Sequence, residues 1–209
     1  EAHAKAAYLQ EARQVSALRR KSETLLSNAI TQAMQELGMR GGRFEVVLTP
    51  LEQPAQHGLE QAEFLVAGHS GSTPRPVSKV ASGGELSRIA LAIAVTTSQL
   101  GQAQTLIFDE VDSGVGGAVA QTVGRLMRQL GKDRQVMTVT HLPQVAAFAD
   151  HHLVVAKRSE QGITFSTVEH VTGEQRVNEV ARMLGGEQLS GTTLAHAKEM
   201  LAQCPLDAV

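Results

Sequence analysis

The chain has 209 residues, enough to bury a sizeable core, and its formal net charge of −2 gives no overall basic signature for nucleic-acid binding. A single cysteine, Cys204, excludes an internal disulfide, and an aromatic content of 3 % argues against base stacking as a main activity. We expect a protein of a reducing compartment from this cysteine usage, and, since no apolar run approaches a membrane span and we expect no signal peptide, no membrane partner.

Residues 1–37 are predicted to form one long helix. They contain no Gly or Pro, and Gly38 is a typical residue to end a helix. Two interpretations stay open: an amphipathic helix packed on the domain, or the end of a coiled-coil arm that enters a globular head. The polar first half favours the arm, and the denser apolar face after Leu25 favours docking at its base. Residues at heptad spacing form a broken seam: Tyr8, Val15, Ser22 and Ala29, and Glu11, Leu18, Leu25 and Gln32.

Two predicted strands, residues 43–48 and 62–67, follow the helix and are expected to pair antiparallel. The segment between them, residues 49–61, contains two prolines and one glycine and is interpreted as their connection. Residues 68–77 are rich in Gly, Ser and Pro, which predicts a loop.

Residues 79–88 place a serine and two glycines at the start of an apolar helix. Ser82 is a good N-cap, and Glu85 three residues later completes a capping-box pattern. A well-capped core helix explains this pattern without any ligand. However, Gly83 and Gly84 leave bare backbone N–H groups at the positive end of the helix, which suits the binding of an anion.

Residues 105–108 read Thr-Leu-Ile-Phe and run directly into Asp109 and Glu110. Apolar continuity without alternation predicts a strand that is buried on both faces of a parallel sheet. Because isolated buried carboxylates are costly, the two acids are expected at the carboxyl end of the strand, where open α/β sheets bind ligands. Adjacent strand residues point to opposite sides, so we expect Asp109 and Glu110 to have different roles.

A tight polar turn, residues 111–117, follows this strand. After it come a helix and a second apolar strand that ends at His141. A short helix after Pro143, a hairpin and two amphipathic helices complete the predicted elements. The predicted ranges are 118–130 for the helix, 134–140 for the strand, 151–157 and 162–168 for the hairpin, and 174–184 and 192–202 for the last helices.

In this order and context, these motifs resemble the second half of an ABC-type ATPase head. The turn departs from the usual D-loop, because it reads Ser-Gly-Val-Gly-Gly where Ala-Leu-Asp is common. The preceding coiled-coil helix makes the chain similar to the SMC-like group of DNA-maintenance ATPases, and within that group to a bacterial family of double-strand-break repair. The matching residues are Ser82-Gly83-Gly84-Glu85 (signature motif), 105–109 (Walker B), Glu110 (catalytic glutamate), Asp112, Ser113 and Gly114 (D-loop), and His141 (switch histidine).

The resemblance implies an α/β fold, namely the C-terminal lobe of an ABC-type head. Its sheet would be mainly parallel and flanked by helices, with an N-terminal coiled-coil segment and small antiparallel strands. Residues 1–37 would be the end of the arm and residues 38–209 the lobe. No G-x-x-x-x-G-K-[ST] occurs, and the chain starts at Glu1 without Met, so we expect a fragment whose P-loop lies in a separate N-terminal lobe. Alone, such a fragment is expected to be inactive.

The resemblance also implies ATP and Mg²⁺ as cofactors. Asp109 would hold Mg²⁺ through water, Glu110 would orient or deprotonate the attacking water, and His141 would contact the γ-phosphate. The signature motif would bind the ATP that is held by a second copy of the protein, so that ATP closes a dimer of heads. That motif comprises Ser82, Gly83, Gly84 and Glu85.

The implied function is ATP-dependent control of DNA binding or tethering in double-strand-break repair and recombination. The implied partners are a second copy, the N-terminal lobe of the same protein, double-stranded DNA and recombination proteins, in the bacterial cytoplasm at the nucleoid. Two alternatives stay open: another SMC-like or ABC-type ATPase, for example of chromosome maintenance, and a non-catalytic module that pairs heads. No Cys and His cluster has zinc spacing, so Mg²⁺ is the metal that we expect.

Overall fold

The computed structural model describes residues 1–80, 82–98, 100–101, 103–160, 163–186 and 189–204. The chain forms two compact units, Glu1–Gly101 and Gln102–Val209. None of the described helices combines the length and the apolar content that crossing a membrane requires.

The first unit begins with helix α1, Ala2–Glu36, which confirms the predicted long helix. One face of α1 is buried in the unit, where Ile30 and Met34 are 1 % and 0 % exposed. The other face carries Leu18 and Leu25, which are 65 % and 68 % exposed. The helix is therefore packed on its own unit along one side only. Its interpretation as the end of a coiled-coil arm, with the lobe beginning at residue 38, stays a prediction.

Helix α1 ends as the sequence predicts, at a glycine in the left-handed region. Gly38 has a φ of 83°, which a residue without Cβ adopts at little cost. The N–H of Gly38 donates to the Gln35 carbonyl and the N–H of Met39 donates to the Met34 carbonyl. These two bonds form a Schellman motif, which satisfies carbonyls that the helix end leaves unpaired.

Strands β1, Arg43–Ala55, and β2, Gly58–Ala67, form an antiparallel hairpin, and the short strand β3, Arg75–Pro76, adds to β2. The predicted antiparallel pair is confirmed. The interpretation of residues 49–61 as a mere connection is wrong, because both strands continue through most of it. Pro54 lies where the register shifts between Pro50 and Ala55, so the ladder is interrupted there. Pro50, which pairs with Glu60, belongs to β1, which is an edge strand of the described sheet.

The hairpin lies along α1 and is held by both apolar and polar contacts. Phe44 is 2 % exposed and its ring lies 5.5 Å from that of Phe64. The Tyr8 hydroxyl donates to the Ala55 carbonyl at 2.6 Å, far from the buried end of the helix. Helix α2, Gly83–Thr96, completes the unit and contributes Ile89 and Leu91 to its core.

The second unit contains a parallel pair of strands, β4 (Thr105–Phe108) and β5 (Gln135–Thr138), joined through helix α3 (Gly117–Gly131). The predicted strand–helix–strand order is confirmed. The remaining elements also follow the predicted order, and the turn residues 161–162 of the predicted hairpin lie outside the described residues. These elements are α4 (Pro143–Ala146), β6 (His152–Glu160), β7 (Ile163–Val171), α5 (Gly173–Gly185) and α6 (Gly191–Ala202).

Strand β4 is not buried on both faces, which corrects the expectation from its apolar sequence. Phe108 is 5 % exposed, whereas Ile107 is 71 % exposed. Met137, which pairs with Ile107 on β5, is 44 % exposed, and Val139 beyond it is 68 % exposed. The reason is that α3 covers one face of this pair of strands, while no described element of the second unit covers the other.

Candidate functional site

The N-terminus of α2 presents the predicted signature residues in the first unit. Ser82 adopts an extended backbone, with φ of −95° and ψ of 123°, and its hydroxyl accepts the Glu85 N–H at 3.4 Å. Ser82 and Gly83 are exposed, while Gly84 is buried. This arrangement places a hydroxyl and a glycine backbone at the positive end of a helix, where an anion is stabilised.

Arg88, one turn into α2, is only 8 % exposed. Burial lowers the pKa of its guanidinium, and the nearby Glu85 carboxylate opposes that shift. The sequence pattern does not indicate a buried arginine here, because arginine on a helix is usually solvated.

Asp109 and Glu110 lie directly after β4, as the sequence predicts, and both are exposed. They do not continue the alternation of the strand. Glu110 has a φ of 54°, and it is the one non-glycine among the described residues with a positive φ. Its backbone N–H donates to the Asp109 Oδ1 at 2.9 Å, and its carbonyl accepts the Ser113 N–H at 3.0 Å. A left-handed glutamate is a costly conformation, and such residues concentrate at functional sites.

Asp112 joins this turn to the end of β5. Asp112 is 2 % exposed. Its Oδ2 accepts a hydrogen bond from the Thr140 hydroxyl and another from the His141 backbone N–H at 3.1 Å. The same oxygen lies 3.4 Å from the His141 Nδ1. The side chain of His141 is itself 72 % exposed. The second unit therefore brings the turn after β4 and the histidine after β5 together at the carboxyl edge of the sheet.

The rest of the turn is open to solvent. Ser113 is exposed, and Gly114 has a φ of 71° with no described atom within 4 Å of the position of a Cβ. The Val115 N–H donates to the Asp112 carbonyl at 3.3 Å, which closes the turn. Gly114 is thus required by backbone conformation and not by crowding.

Two residues that fix the segment after β5, residues 140–149, which we call the histidine segment, were not singled out from sequence. Thr140 donates to Asp112 and its hydroxyl accepts the Leu142 N–H at 3.1 Å. Arg176 of α5 is 7 % exposed and donates to the carbonyls of Ala146, Ala147 and Ala149 at the end of α4, at 3.3, 3.2 and 2.5 Å. Burial lowers the pKa of Arg176. Only the three-dimensional structure identifies the role of Arg176. The strands β6 and β7 separate α5 from α4 in the chain, and no local motif marks this arginine.

The carboxylates fit a magnesium ion as far as their donor chemistry goes. Mg²⁺ prefers hard oxygen ligands and keeps several waters, so one or two exposed carboxylates are enough to hold it beside a phosphate. Asp109 and Glu110 supply such oxygens at the edge of the sheet. Among the described residues, no group of three or more His, Cys, Asp or Glu forms a self-contained metal site.

The fold matches a known head domain. The Smc head domain with a coiled coil and joint from Pyrococcus yayanosii superposes with a TM-score of 0.52 and 21 % identity, and the match covers 74 % of this chain and 28 % of that chain. The chain thus has the fold of part of an SMC-type head, an α/β lobe with parallel and antiparallel strands. No protein-family model matches the chain.

The relatives found by sequence indicate a narrower group of proteins than the fold does. The chain is 44 % identical over 196 residues to the DNA repair protein RecN of Xylella fastidiosa (strain 9a5c), which covers 93 % of this chain and 35 % of that protein. It is 46 % identical over 180 residues to RecN of Vibrio cholerae, which covers 84 % of this chain and 32 % of that protein. The chain is therefore a RecN-like sequence, and it spans about a third of the length of the curated relatives that it matches.

Proposed function

We propose that the chain is the C-terminal lobe of the head of an SMC-like ATPase that acts in DNA double-strand-break repair and recombination. The observation that carries the proposal is the carboxyl edge of the β4–β5 sheet, where Asp112 holds the His141 segment against the turn that bears Asp109 and Glu110. Two exposed acids and a histidine at the carboxyl edge of a parallel sheet are groups that hydrolysis of a phosphoanhydride can use.

Each residue of this edge has a distinct role in the proposed hydrolysis. Asp109 would hold Mg²⁺, and the bound ion would neutralise charge on the phosphates. Glu110 orients or deprotonates the attacking water, helped by a backbone conformation that turns it away from the strand direction. His141 contacts the γ-phosphate through its exposed ring. Ser113 and Gly114 form the exposed D-loop beside them.

The signature residues act on a second copy of the protein. Ser82 and the N–H groups of Gly83 and Gly84 bind the γ-phosphate that the opposite head holds, because they form a free positive helix end. The Ser82 hydroxyl caps that helix end by accepting the backbone N–H of Glu85. Half of each phosphate site is then on the other subunit, so ATP closes the dimer of heads.

The N-terminal lobe of the same protein is the proposed partner of the β4–β5 sheet. Within the described residues, β4 and β5 pair only with each other, and a two-stranded sheet is not stable alone. A cavity of about 840 Å³ adjoins β5 and is lined by Val136 and Thr138 together with His151 and His170 near the β6–β7 hairpin. An extended segment of the N-terminal lobe fits such a slot, and that lobe would carry the P-loop that the chain lacks. This chain alone is accordingly inactive.

Double-stranded DNA and recombination proteins are the proposed partners of the assembled protein, at the nucleoid of a bacterial cell. The RecN relatives are named as DNA repair proteins, which supports this process over transport or chromosome maintenance. A non-catalytic head-pairing module is the second candidate. The strained Glu110 favours the enzyme, because a module that only pairs heads has no use for a costly exposed carboxylate conformation.

The test uses the full-length protein and the variant Glu110→Gln. Loss of a positioned general base lowers a rate about 10²–10⁴-fold, so ATP hydrolysis should fall by that factor while ATP binding persists. The trapped ATP should hold the heads as dimers, measured by size exclusion with light scattering. Adding Ser82→Arg to this variant should abolish the dimers without loss of ATP binding.

The matched control is Glu174→Gln, which removes an exposed carboxylate from the first turn of α5 and should leave turnover unchanged. Wild-type turnover by Glu110→Gln would reject the proposed hydrolysis. Dimers that persist with Arg at position 82 would reject the role of the signature residues across the dimer.

A further inference from the structure

The proposed chemistry gives the buried carboxylate of Asp112 no contact with nucleotide or attacking water, yet this carboxylate makes the contacts that hold Thr140 and His141 in place. Its side chain is 3 % exposed. Asp112 Oδ2 accepts hydrogen bonds from the Thr140 hydroxyl and the His141 N–H, and it lies 3.4 Å from the His141 Nδ1. Twenty-eight residues separate Asp112 from Thr140 in the sequence. A buried carboxylate that is satisfied in this way is costly to remove, because its donors lose their partner.

We propose that Asp112 is a positioning residue that sets the tautomer and the direction of the His141 ring. This inference rests on the proposed function of His141. An ionised carboxylate only accepts hydrogen bonds, so a neutral His141 ring facing it carries its proton on Nδ1. The Nε2 then faces away from Asp112 with a lone pair, on a side chain that is 72 % exposed. That nitrogen takes up or returns a proton at the phosphate, while Asp112 holds the ring in orientation, as the buried acid of a catalytic triad orients its histidine.

The same carboxylate also ties His141 to Glu110. Asp112 and Glu110 lie in one turn, which the Ser113 N–H closes by donating to the Glu110 carbonyl at 3.0 Å. The hydroxyl of Thr140 donates to Asp112 and accepts the Leu142 N–H at 3.1 Å. These two hydrogen bonds together fix the orientation of the hydroxyl. A shift of Asp112 therefore moves the histidine segment relative to the glutamate.

The experiment compares Asp112→Asn, Thr140→Val and Thr140→Ser with wild type in the full-length protein. Loss of a residue that orients a catalytic group costs about 10- to 100-fold in activity. Asp112→Asn should lower kcat for ATP by that factor with KM unchanged, and Thr140→Val should lower it less. Thr140→Ser keeps the hydroxyl and should retain wild-type turnover.

A second measurement does not depend on Asp112→Asn being folded. Full-length protein labelled with ¹⁵N-histidine, with His141→Gln to identify the resonance, gives the tautomer of His141 at a pH where the ring is neutral. We expect the proton on Nδ1 in wild type, and a shift of the population toward Nε2–H in Asp112→Asn. A wild-type ring protonated on Nε2 would overturn the inference, even if Asp112→Asn did not fold.

A merely structural Asp112 would lower Tm and the yield of folded protein while kcat per folded molecule stayed at the wild-type value. That result would also overturn the inference. If Glu110→Gln stops turnover but Asp112→Asn does not, the positioning role fails and the proposed function stands. If Glu110→Gln turns over normally, the proposed function itself fails.

Discussion

The two sheets of the molecule differ in what covers them. In the first unit, helix α1 lies along the β1–β2 hairpin, and Phe44 of β1 is 2 % exposed. Among the described residues of the second unit, α3 covers one face of the β4–β5 pair, and Ile107 of β4 on the other face is 71 % exposed. The first sheet finds its cover within the chain, whereas the second shows an apolar face that parallel sheets normally bury. Under the proposed function, the uncovered face of the second sheet is the one that the N-terminal lobe would cover.

The two units also use a buried carboxylate in different ways. Glu60 of β2 is 3 % exposed and accepts the Ser16 hydroxyl of α1 at 2.7 Å, with Arg19 and Arg20 at 3.8 and 3.6 Å. It fastens one structural element to another. Asp112 instead fastens one candidate catalytic turn to the next. A buried acid is therefore no sign of catalysis by itself, and its partners decide what it does.

The largest expected effect on the free energy of unfolding comes from comparing one substitution in each sheet. Phe44→Ala should destabilise the first unit by about 3–5 kcal/mol, because it leaves a cavity in a closed core. Ile107→Ala should change the stability of this chain by no more than about 0.5 kcal/mol, because the side chain is already in water. Urea unfolding checks both, with the fluorescence of Tyr8, the one tyrosine in a chain without tryptophan, reporting on the first unit.

The same pair of variants in the full-length protein sharpens the comparison. If the N-terminal lobe covers the β4–β5 face, Ile107→Ala should there cost about 2–5 kcal/mol, as for a buried aliphatic side chain. An equally small cost in the chain and in the full-length protein would mean that this face stays uncovered.

An intermediate effect is expected for the carboxylate that fastens α1. Glu60→Ala should cost about 1–3 kcal/mol, because it removes a buried carboxylate that accepts the Ser16 hydroxyl across to α1 and pairs with Arg19 and Arg20. Glu52→Ala, which removes an exposed acid from the neighbouring strand, is the control and should stay within about 0.5 kcal/mol. Equal unfolding midpoints in urea for the two variants would show that α1 is held by its apolar face alone.

The smallest effect tests whether the second unit is tightly packed where α3 covers it. A Cβ at Gly124 would lie 2.6 Å from the Phe148 ring, so Gly124→Ala overpacks at about 1–3 kcal/mol and regains about 1 kcal/mol of helix propensity. We expect a net loss of about 0–2 kcal/mol. Gly131→Ala on the same helix meets no described atom within 4 Å and should not destabilise, as measured by thermal unfolding. A loss at Gly131 as large as at Gly124 would contradict tight packing at this site.

Local patterns were sufficient for most of the secondary structure. The α1 helix, its end at Gly38, the strand before Asp109 and the helix capped by Ser82 all follow from propensity, caps and apolar runs. The failures have a common cause. Residues 49–61 were interpreted as a connection because proline usually interrupts strands, but a register shift accommodates it. Strand β4 was expected to be buried on both faces because its sequence is continuously apolar. An apolar sequence shows that a strand can be buried, but not that another part of the chain covers it.

The sequence by itself determined the order of the elements, the exposed acids at the end of β4 and the family resemblance, because these depend on residues close together in the chain. Tertiary structure alone decided which of them meet. Asp112 contacts Thr140 across 28 residues and Ser16 contacts Glu60 across 44, and no periodicity encodes such pairs. Hydrogen bonds of this range form only when packing has already brought two elements together, which is why the partners of His141 and the left-handed backbone of Glu110 required the folded structure.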